Sequence, residues 1–212
     1  MIDLKIKICG MKHNVAEIAA LHPDYLGFIF YGNSPRNYNE SEVIKLSKGI
    51  KKVGVFVDQS VTEIIELAHK FNFDIIQLHG NQTNKFVALL NLNLKKIEKE
   101  EVEIWKVFSI KNTFDFSVLE SFENLVSKFL FDTKGKEKGG NGVTFDWSVL
   151  ENYPSTTPFI LSGGIGLAEI SEVKKIQKSS LPIYGIDVNS KFELKPGLKD
   201  ILALKKLIEE LK

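Results

Sequence analysis

Lys52-Val-Gly-Val-Phe-Val57, Val61–Phe71 and Ile75-Ile-Gln-Leu78 follow one another with only short connections between them. The first and last are short apolar runs of the kind that fill buried strands. Between them Val61, Ile64, Ile65 and Ala68 recur at helical spacing, with Phe71 following, so the middle segment has one apolar helix face. Neighbouring strands joined through a helix pair in parallel, which makes this stretch a βαβ unit. The pattern repeats in both directions. Strands are expected at Lys5–Cys9, Tyr25–Phe30, Lys52–Val57, Ile75–Leu78, Ile104–Val107, Phe129–Phe131, Phe159–Leu161 and Ile183–Asp187. Helices are expected at Asn14–Leu21, Ser41–Ser47, Val61–Phe71, Asn84–Leu90, Leu167–Ile176 and Lys199–Leu211, with weaker patterns at Asn112–Phe122 and Asp146–Leu150. Residues Asn91–Glu103 show clustered charge without a period.

Eight strand–helix units in 212 residues, about 26 residues each, predict an α/β protein: a single-domain (β/α)8 TIM barrel spanning residues 1–212. An open doubly wound sheet needs fewer strands. Its dinucleotide-binding form also carries Gly-x-Gly-x-x-Gly after the first strand, where this chain reads Cys9-Gly10-Met11-Lys12-His13. No shift in composition marks a linker.

Composition narrows the function. A net charge of +1 argues against a general nucleic-acid binder, and no apolar run reaches the ~20 residues that span a bilayer. The opening Met-Ile-Asp-Leu-Lys-Ile alternates at once, without a signal-peptide pattern. One cysteine in the chain excludes a scaffold of internal disulfides and fits a reducing compartment, so a cytoplasmic protein is expected. Arg36 is the single arginine among 28 basic residues. Lysine cannot reproduce its planar two-donor fork, so its survival in a lysine-rich chain hints at a carboxylate to be gripped.

A TIM barrel builds its active site at the carboxyl ends of the strands, and unusual polar residues collect there. Cys9 ends the first strand. Leu4, Ile6 and Ile8 alternate with Lys5, Lys7 and Cys9, which puts Cys9 and Lys7 together on the barrel's interior face. Cys9 reads either as a small buried residue or as a base whose thiol a nearby ammonium brings from about 8.5 toward neutrality. Asp132 ends the sixth strand, as a turn former or an acid. His79 ends the fourth, as a solvated turn histidine or a site residue. Ser162-Gly163-Gly164 and Asp187 end the seventh and eighth, where barrels commonly bind phosphate, and Lys195-Pro196-Gly197 offers a further glycine. The glycine- and lysine-rich Lys134–Gly142 reads as a lid, a disordered connection or a phosphate cradle. The four histidines show no metal-ligand spacing, so no metal or cofactor is expected.

Taken together these segments resemble phosphoribosylanthranilate isomerases. The likeness rests on Lys7-Ile-Cys-Gly-Met11, Gly27-Phe-Ile-Phe30, Ser34-Pro-Arg36, Val53-Gly-Val-Phe-Val57 and Gln77-Leu-His-Gly80. It continues through Phe131-Asp-Thr133, Gly139-Gly-Asn-Gly142, Phe145-Asp-Trp147, Leu161-Ser-Gly-Gly164 and Pro196-Gly-Leu-Lys-Asp200, in family order along the whole chain. The resemblance implies an Amadori rearrangement of N-(5-phosphoribosyl)anthranilate, in tryptophan biosynthesis, without metal or organic cofactor. Cys9 would be the general base and Asp132 the general acid. Arg36 would hold the anthranilate carboxylate with His79 nearby. Gly163, Gly164, Asp187, Asn189 and Ser190 would cradle the phosphate of the phosphoribosyl substrate. Acid and base must start in opposite protonation states, so the Asp132 pKa would have to be raised and that of Cys9 lowered. Three departures matter: Asn141 stands where family members usually carry threonine, Lys191 where they carry glycine, and the sixth loop carries extra lysines, read either as steering a doubly anionic substrate or as decorating a solvated loop. The competing readings are another phosphosugar isomerase on the same barrel and a non-catalytic phosphate-metabolite binder; the first lacks its carboxylate or metal ligands, and the second needs neither Cys9 nor Asp132. The oligomeric state is left open.

Overall fold

The computed structural model describes residues 3–40, 45–99, 101–133 and 144–212. Eight strands form the barrel: β1 (Lys5–Ile8), β2 (Tyr25–Phe30), β3 (Lys51–Phe56), β4 (Ile75–Leu78), β5 (Glu103–Ile110), β6 (Lys128–Thr133), β7 (Phe159–Ser162) and β8 (Ile183–Val188). Each pairs in parallel with its neighbour, and β1 closes the ring on β8, with Lys7 opposite Asp187. The expected (β/α)8 barrel is therefore what the chain adopts, with every strand within a few residues of its expected bounds.

Alternation along the strands makes two apolar layers. Val53, Val55, Ile75, Trp105, Val107, Leu130 and Ile160 fill the ring with Cys9 and Tyr25. Ile6, Ile8, Leu26, Phe28, Ile76 and Leu78 point outward into the layer beneath the helices. At the amino end of the strands Glu103 accepts from Lys128 at 2.6 Å, Trp105 Nε1 at 3.1 Å and Ser127 Oγ at 3.1 Å. That polar knot closes the floor beneath Trp105, which is wholly buried.

Helices α1 (Val15–Ala19), α2 (Val61–Phe71), α3 (Asn84–Lys96), α4 (Ile170–Gln177) and α5 (Ile201–Leu211) cover much of the ring. Their ends follow local chemistry. Ser60 and Glu63 form a capping box that starts α2, and Asn72, left-handed at φ 49°, ends it. Thr83 caps α3, which continues to Lys96 through the segment whose charges obscured its period, burying Val87, Leu90 and Leu94. Among the described residues no helix is long and apolar enough to cross a membrane.

Three expectations need correction. Among the described residues the fifth and sixth units carry only 3-10 turns, Phe116–Leu119 and Trp147–Asn152. There rings replace a helix as cover: Phe114 meets Phe116 at 5.1 Å, and Phe116 meets Tyr153 at 5.8 Å. The expected helix Ser41–Ser47 is irregular at 45–47, and 41–44 lie outside the described residues, as does Lys134–Gly142 with its Gly139–Gly142 motif. Finally, Lys195-Pro196-Gly197 turns a small hairpin, β9 (Glu193–Lys195) with β10 (Leu198–Lys199). Lys199 thus belongs to a strand, and α5 starts only after Asp200, whose carboxylate accepts from Ala203 N at 3.1 Å.

Candidate active site

A pocket of about 700 Å3, counted to its open mouth, lies at the carboxyl end of the strands. Cys9, Arg36, His79, Asp132, Gly163, Gly164, Asp187, Asn189 and Ser190 all line it. Residues from five strand ends and one loop thus converge because a closed parallel ring brings all its strand ends to one rim.

Cys9 continues the line of β1, held by its amide donating to Val188 O at 2.9 Å. Its side chain is 5% exposed, and burial pushes the thiol pKa up, against the lowering pull of Lys7. The direction is opposite to the expected lowering. Burial is the larger influence, and Lys7 Nζ, also fully interior, shares itself with Asp187, donating to its Oδ1 at 2.8 Å. Burial opposes that ammonium, but Asp187 and the Cys9 sulfur outweigh it and hold Lys7 above the ordinary lysine pKa. Gly27 makes the arrangement possible, since a Cβ there would lie 3.0 Å from both Cys9 Sγ and Lys7 Nζ. Asp187 lines the pocket with its side chain engaged by Lys7.

Across the ring, Asp132 near the end of β6 is buried, and its Oδ2 lies 3.3 Å from His79 Nε2. His79 follows β4, with its amide on Phe56 O at 2.8 Å. The next residue is pinned as well: Lys106 Nζ donates to Gly80 O at 2.9 Å, and Gly80 N donates to Gln82 Oε1 at 2.9 Å. A carboxyl and an imidazole in this contact can share a proton and present it to the pocket.

Arg36 sits in the β2 loop after Ser34, whose hydroxyl accepts from Arg36 N at 3.2 Å. Its guanidinium does not hang free. Nε donates to Glu193 Oε2 at 2.9 Å and Nη2 donates to the same oxygen at 2.7 Å. Glu193 also takes Lys199 Nζ at 2.9 Å and Gly197 N at 3.0 Å, and Lys199 reaches Asn189 Oδ1 at 2.7 Å. Burial works against this carboxylate, but Arg36 and Lys199 outweigh it and hold its pKa below the ordinary range. One edge of the guanidinium is thereby fixed, and the Nη1 edge stays available to a planar anion. Gly197 spends its amide inside this network, which is why it offers no donor to the pocket.

Gly163 and Gly164 adopt φ of 87° and 69°, left-handed backbone that few other residues tolerate. Their amides and those of Asn189 and Ser190 donate to no partner among the described residues. The two loops follow neighbouring strands, so these unspent N–H groups gather on one side of the pocket, as in an anion nest. Lys191, in place of the family glycine, also lines this side. Among the described residues, no group of three or more histidine, cysteine, aspartate or glutamate side chains is placed to hold a metal ion.

The sequence reading did not assign roles to Glu193, Lys199 or Gln77. Gln77 had a visible signal, a lone amide in the apolar strand Ile75-Ile-Gln-Leu78. Glu193 had a weaker one, since a single arginine in a lysine-rich chain calls for a carboxylate.

Comparison with known proteins agrees with the geometry. Residues 5–210 match the family model described as N-(5'phosphoribosyl)anthranilate (PRA) isomerase. The N-(5'-phosphoribosyl)anthranilate isomerase of Campylobacter jejuni is 40% identical over 99% of both chains. The phosphoribosyl anthranilate isomerase structure from Thermus thermophilus superposes with a TM-score of 0.80 at 22% identity, covering 98% of both chains. A phosphoribosyl anthranilate isomerase in complex with reduced 1-(o-carboxyphenylamino)-1-deoxyribulose 5-phosphate does so at 0.72 and 24% identity, again covering 98% of both. At such identities the two structures speak for the fold.

Proposed function

The chain belongs to the N-(5'-phosphoribosyl)anthranilate isomerase family, and from that membership we propose how its pocket carries the reaction. The enzyme converts N-(5'-phosphoribosyl)anthranilate to 1-(2-carboxyphenylamino)-1-deoxyribulose 5-phosphate, a step of tryptophan biosynthesis. In our assignment the Asp132–His79 pair gives a proton to the ribose ring oxygen. The C1–O bond then breaks as the nitrogen lone pair forms a C1=N iminium. Cys9 takes the proton from C2, the electrons move to neutralise nitrogen, and the resulting enolamine tautomerises to the ketone.

The other contacts orient. The free Nη1 edge of Arg36 receives the anthranilate carboxylate, while Glu193 keeps the guanidinium from swinging. Gly163, Gly164, Asn189 and Ser190 supply backbone N–H groups to the phosphate. Asp187 serves the base through Lys7 rather than the phosphate. His79 serves the acid rather than the anthranilate ring. A base that must remain a free thiol suits the reducing cytoplasm, where we place the enzyme.

One observation carries this reading: a thiol from β1 and a carboxyl from β6 face the same anion-equipped pocket. Cys9→Ala and Asp132→Asn are each expected to lose about 100-fold or more in turnover, while affinity for the reduced product analogue changes little. Turnover is followed by anthranilate fluorescence, with substrate generated from anthranilate and phosphoribosyl pyrophosphate by the preceding transferase. A variant that keeps near-wild-type kcat removes its residue from the chemistry.

A further inference from the structure

Gln77 lines the pocket with a buried side-chain amide for which no use is visible among the described residues. It lies on β4 between Val55 and Trp105 in register, 1% exposed, on the interior face that it shares with Ile75. Its Oε1 is fully buried and has no hydrogen-bond partner among the described residues. Turning the amide over would only exchange which of its polar ends is left unmet. Lys7 is engaged by Asp187, and Asp132 lies against His79. Burying an amide without a partner is costly, and an apolar residue of the same length would fill the position without that cost. The group is therefore one the fold retains at a loss, on a residue that lines the pocket.

The pocket's layout says which part of the ligand it meets. The phosphate nest belongs to the loops after β7 and β8, and β8 is diametrically opposite β4 in an eight-stranded ring. The carboxylate has Arg36, at the rim. Gln77 lies one interior position below His79 and so beneath the acid pair, facing the middle of the substrate. Between its two anionic ends the substrate carries only neutral donors, the anilino N–H and the sugar hydroxyls. We propose that Gln77 is a substrate-contacting residue whose side-chain carbonyl accepts a hydrogen bond from this neutral midsection, and that it helps seat C2 over Cys9. This rests on the assignment of the pocket given above. If the partner is the anilino N–H, the bond strengthens once ring opening makes that nitrogen an iminium, and the effect falls on kcat. If it is a hydroxyl, the bond is equal in ground and transition states, and the effect falls on KM.

The test compares wild type with Gln77→Met, an unbranched replacement that keeps the volume and removes the amide. Three quantities are read: kcat and KM, the Kd of the reduced product analogue, and the unliganded melting temperature. The variant is expected to lose roughly 10-fold or more in kcat/KM, the worth of one hydrogen bond at the reacting centre. Loss of analogue affinity in step with kcat/KM identifies a hydroxyl, and loss confined to kcat identifies the nitrogen. The unliganded variant is expected to melt a few degrees higher than wild type, because an unmet buried amide is gone. A merely structural glutamine would show the reverse, a lower melting temperature with unchanged kcat/KM and Kd, and that result overturns the proposal. A wild type that neither turns over substrate nor binds the analogue sinks the parent assignment and this one with it. A wild type that does both, beside a variant that matches it, sinks this one alone.

Discussion

The Cys9 thiol is set by three neighbours that disagree. Burial raises its pKa most, Lys7 lowers it, and the Asp187 carboxylate raises it again; Lys199 lowers it from farther off. A thiol raised in this way is protonated at neutral pH, and kcat/KM should rise with pH through a value above the ordinary ~8.5. Asp187→Asn removes the opposing carboxylate and releases Lys7 toward the sulfur, so it should shift that limb to lower pH. Lys7→Met should shift it higher. Iodoacetamide alkylation of Cys9 against pH reads the same titration without substrate. An Asp187→Asn limb that moves upward would mean that Lys7 does not govern this thiol.

At the scale of elements, the two ends of the strands do different work. At the amino end, burial opposes the Glu103 carboxylate, but Lys128, Trp105 and Ser127 outweigh it and hold its pKa at about 2. A depressed carboxyl stabilises the fold above its unfolded value and loses that contribution as pH falls toward the folded one. Glu103→Gln should therefore cost on the order of 2 kcal/mol at pH 7, shrinking between pH ~4.5 and ~2, with little effect on kcat. Urea titrations of both proteins at pH 7 and pH 3 check this; an equal difference at the two pH values would contradict it. At the carboxyl end, the β9–β10 hairpin presents Glu193 to Arg36. Glu193→Gln should raise KM severalfold more than it lowers kcat, because it loosens a positioned guanidinium. An unchanged KM in steady-state kinetics would detach the hairpin from substrate binding. On the outside, Leu207 of α5 is wholly buried, and Leu207→Ala should cost about 2–5 kcal/mol by cavity formation while kcat stays near wild type.

For the molecule as a whole, net charge and site charge separate. The chain carries only +1, yet its pocket meets a substrate bearing a carboxylate and a phosphate. Attraction must come from the rim, where Lys191 is exposed and Arg36 is partly exposed. Local fields of this kind are screened within about 10 Å at 0.1 M salt. Raising sodium chloride from about 10 to 200 mM should lower kcat/KM severalfold while kcat changes little, and less so in Lys191→Gly. A flat profile in wild type would show that the rim does not steer.

Periodicity alone determined that this chain is an eight-fold βα protein, because alternation at 2 and recurrence near 3.6 are local consequences of backbone geometry. It also placed Cys9, Asp132, Asp187 and the glycines at strand ends, and parallel closure then obliged them to share a rim. Local pattern missed what depends on distant partners. Phe116 and Tyr153 cover their strands by ring packing rather than as helices, and Lys195-Pro196-Gly197 turns a hairpin whose pairing no short window reveals. The protonation of Cys9 was likewise undecidable from Lys7 two residues away. Whether that ammonium serves the sulfur or a carboxylate depends on Asp187, 180 residues on, brought alongside only when β1 closes on β8. Tertiary structure decided the charges of the site for that reason: electrostatic balance in a buried pocket depends on distance in space, and sequence records distance only along the chain.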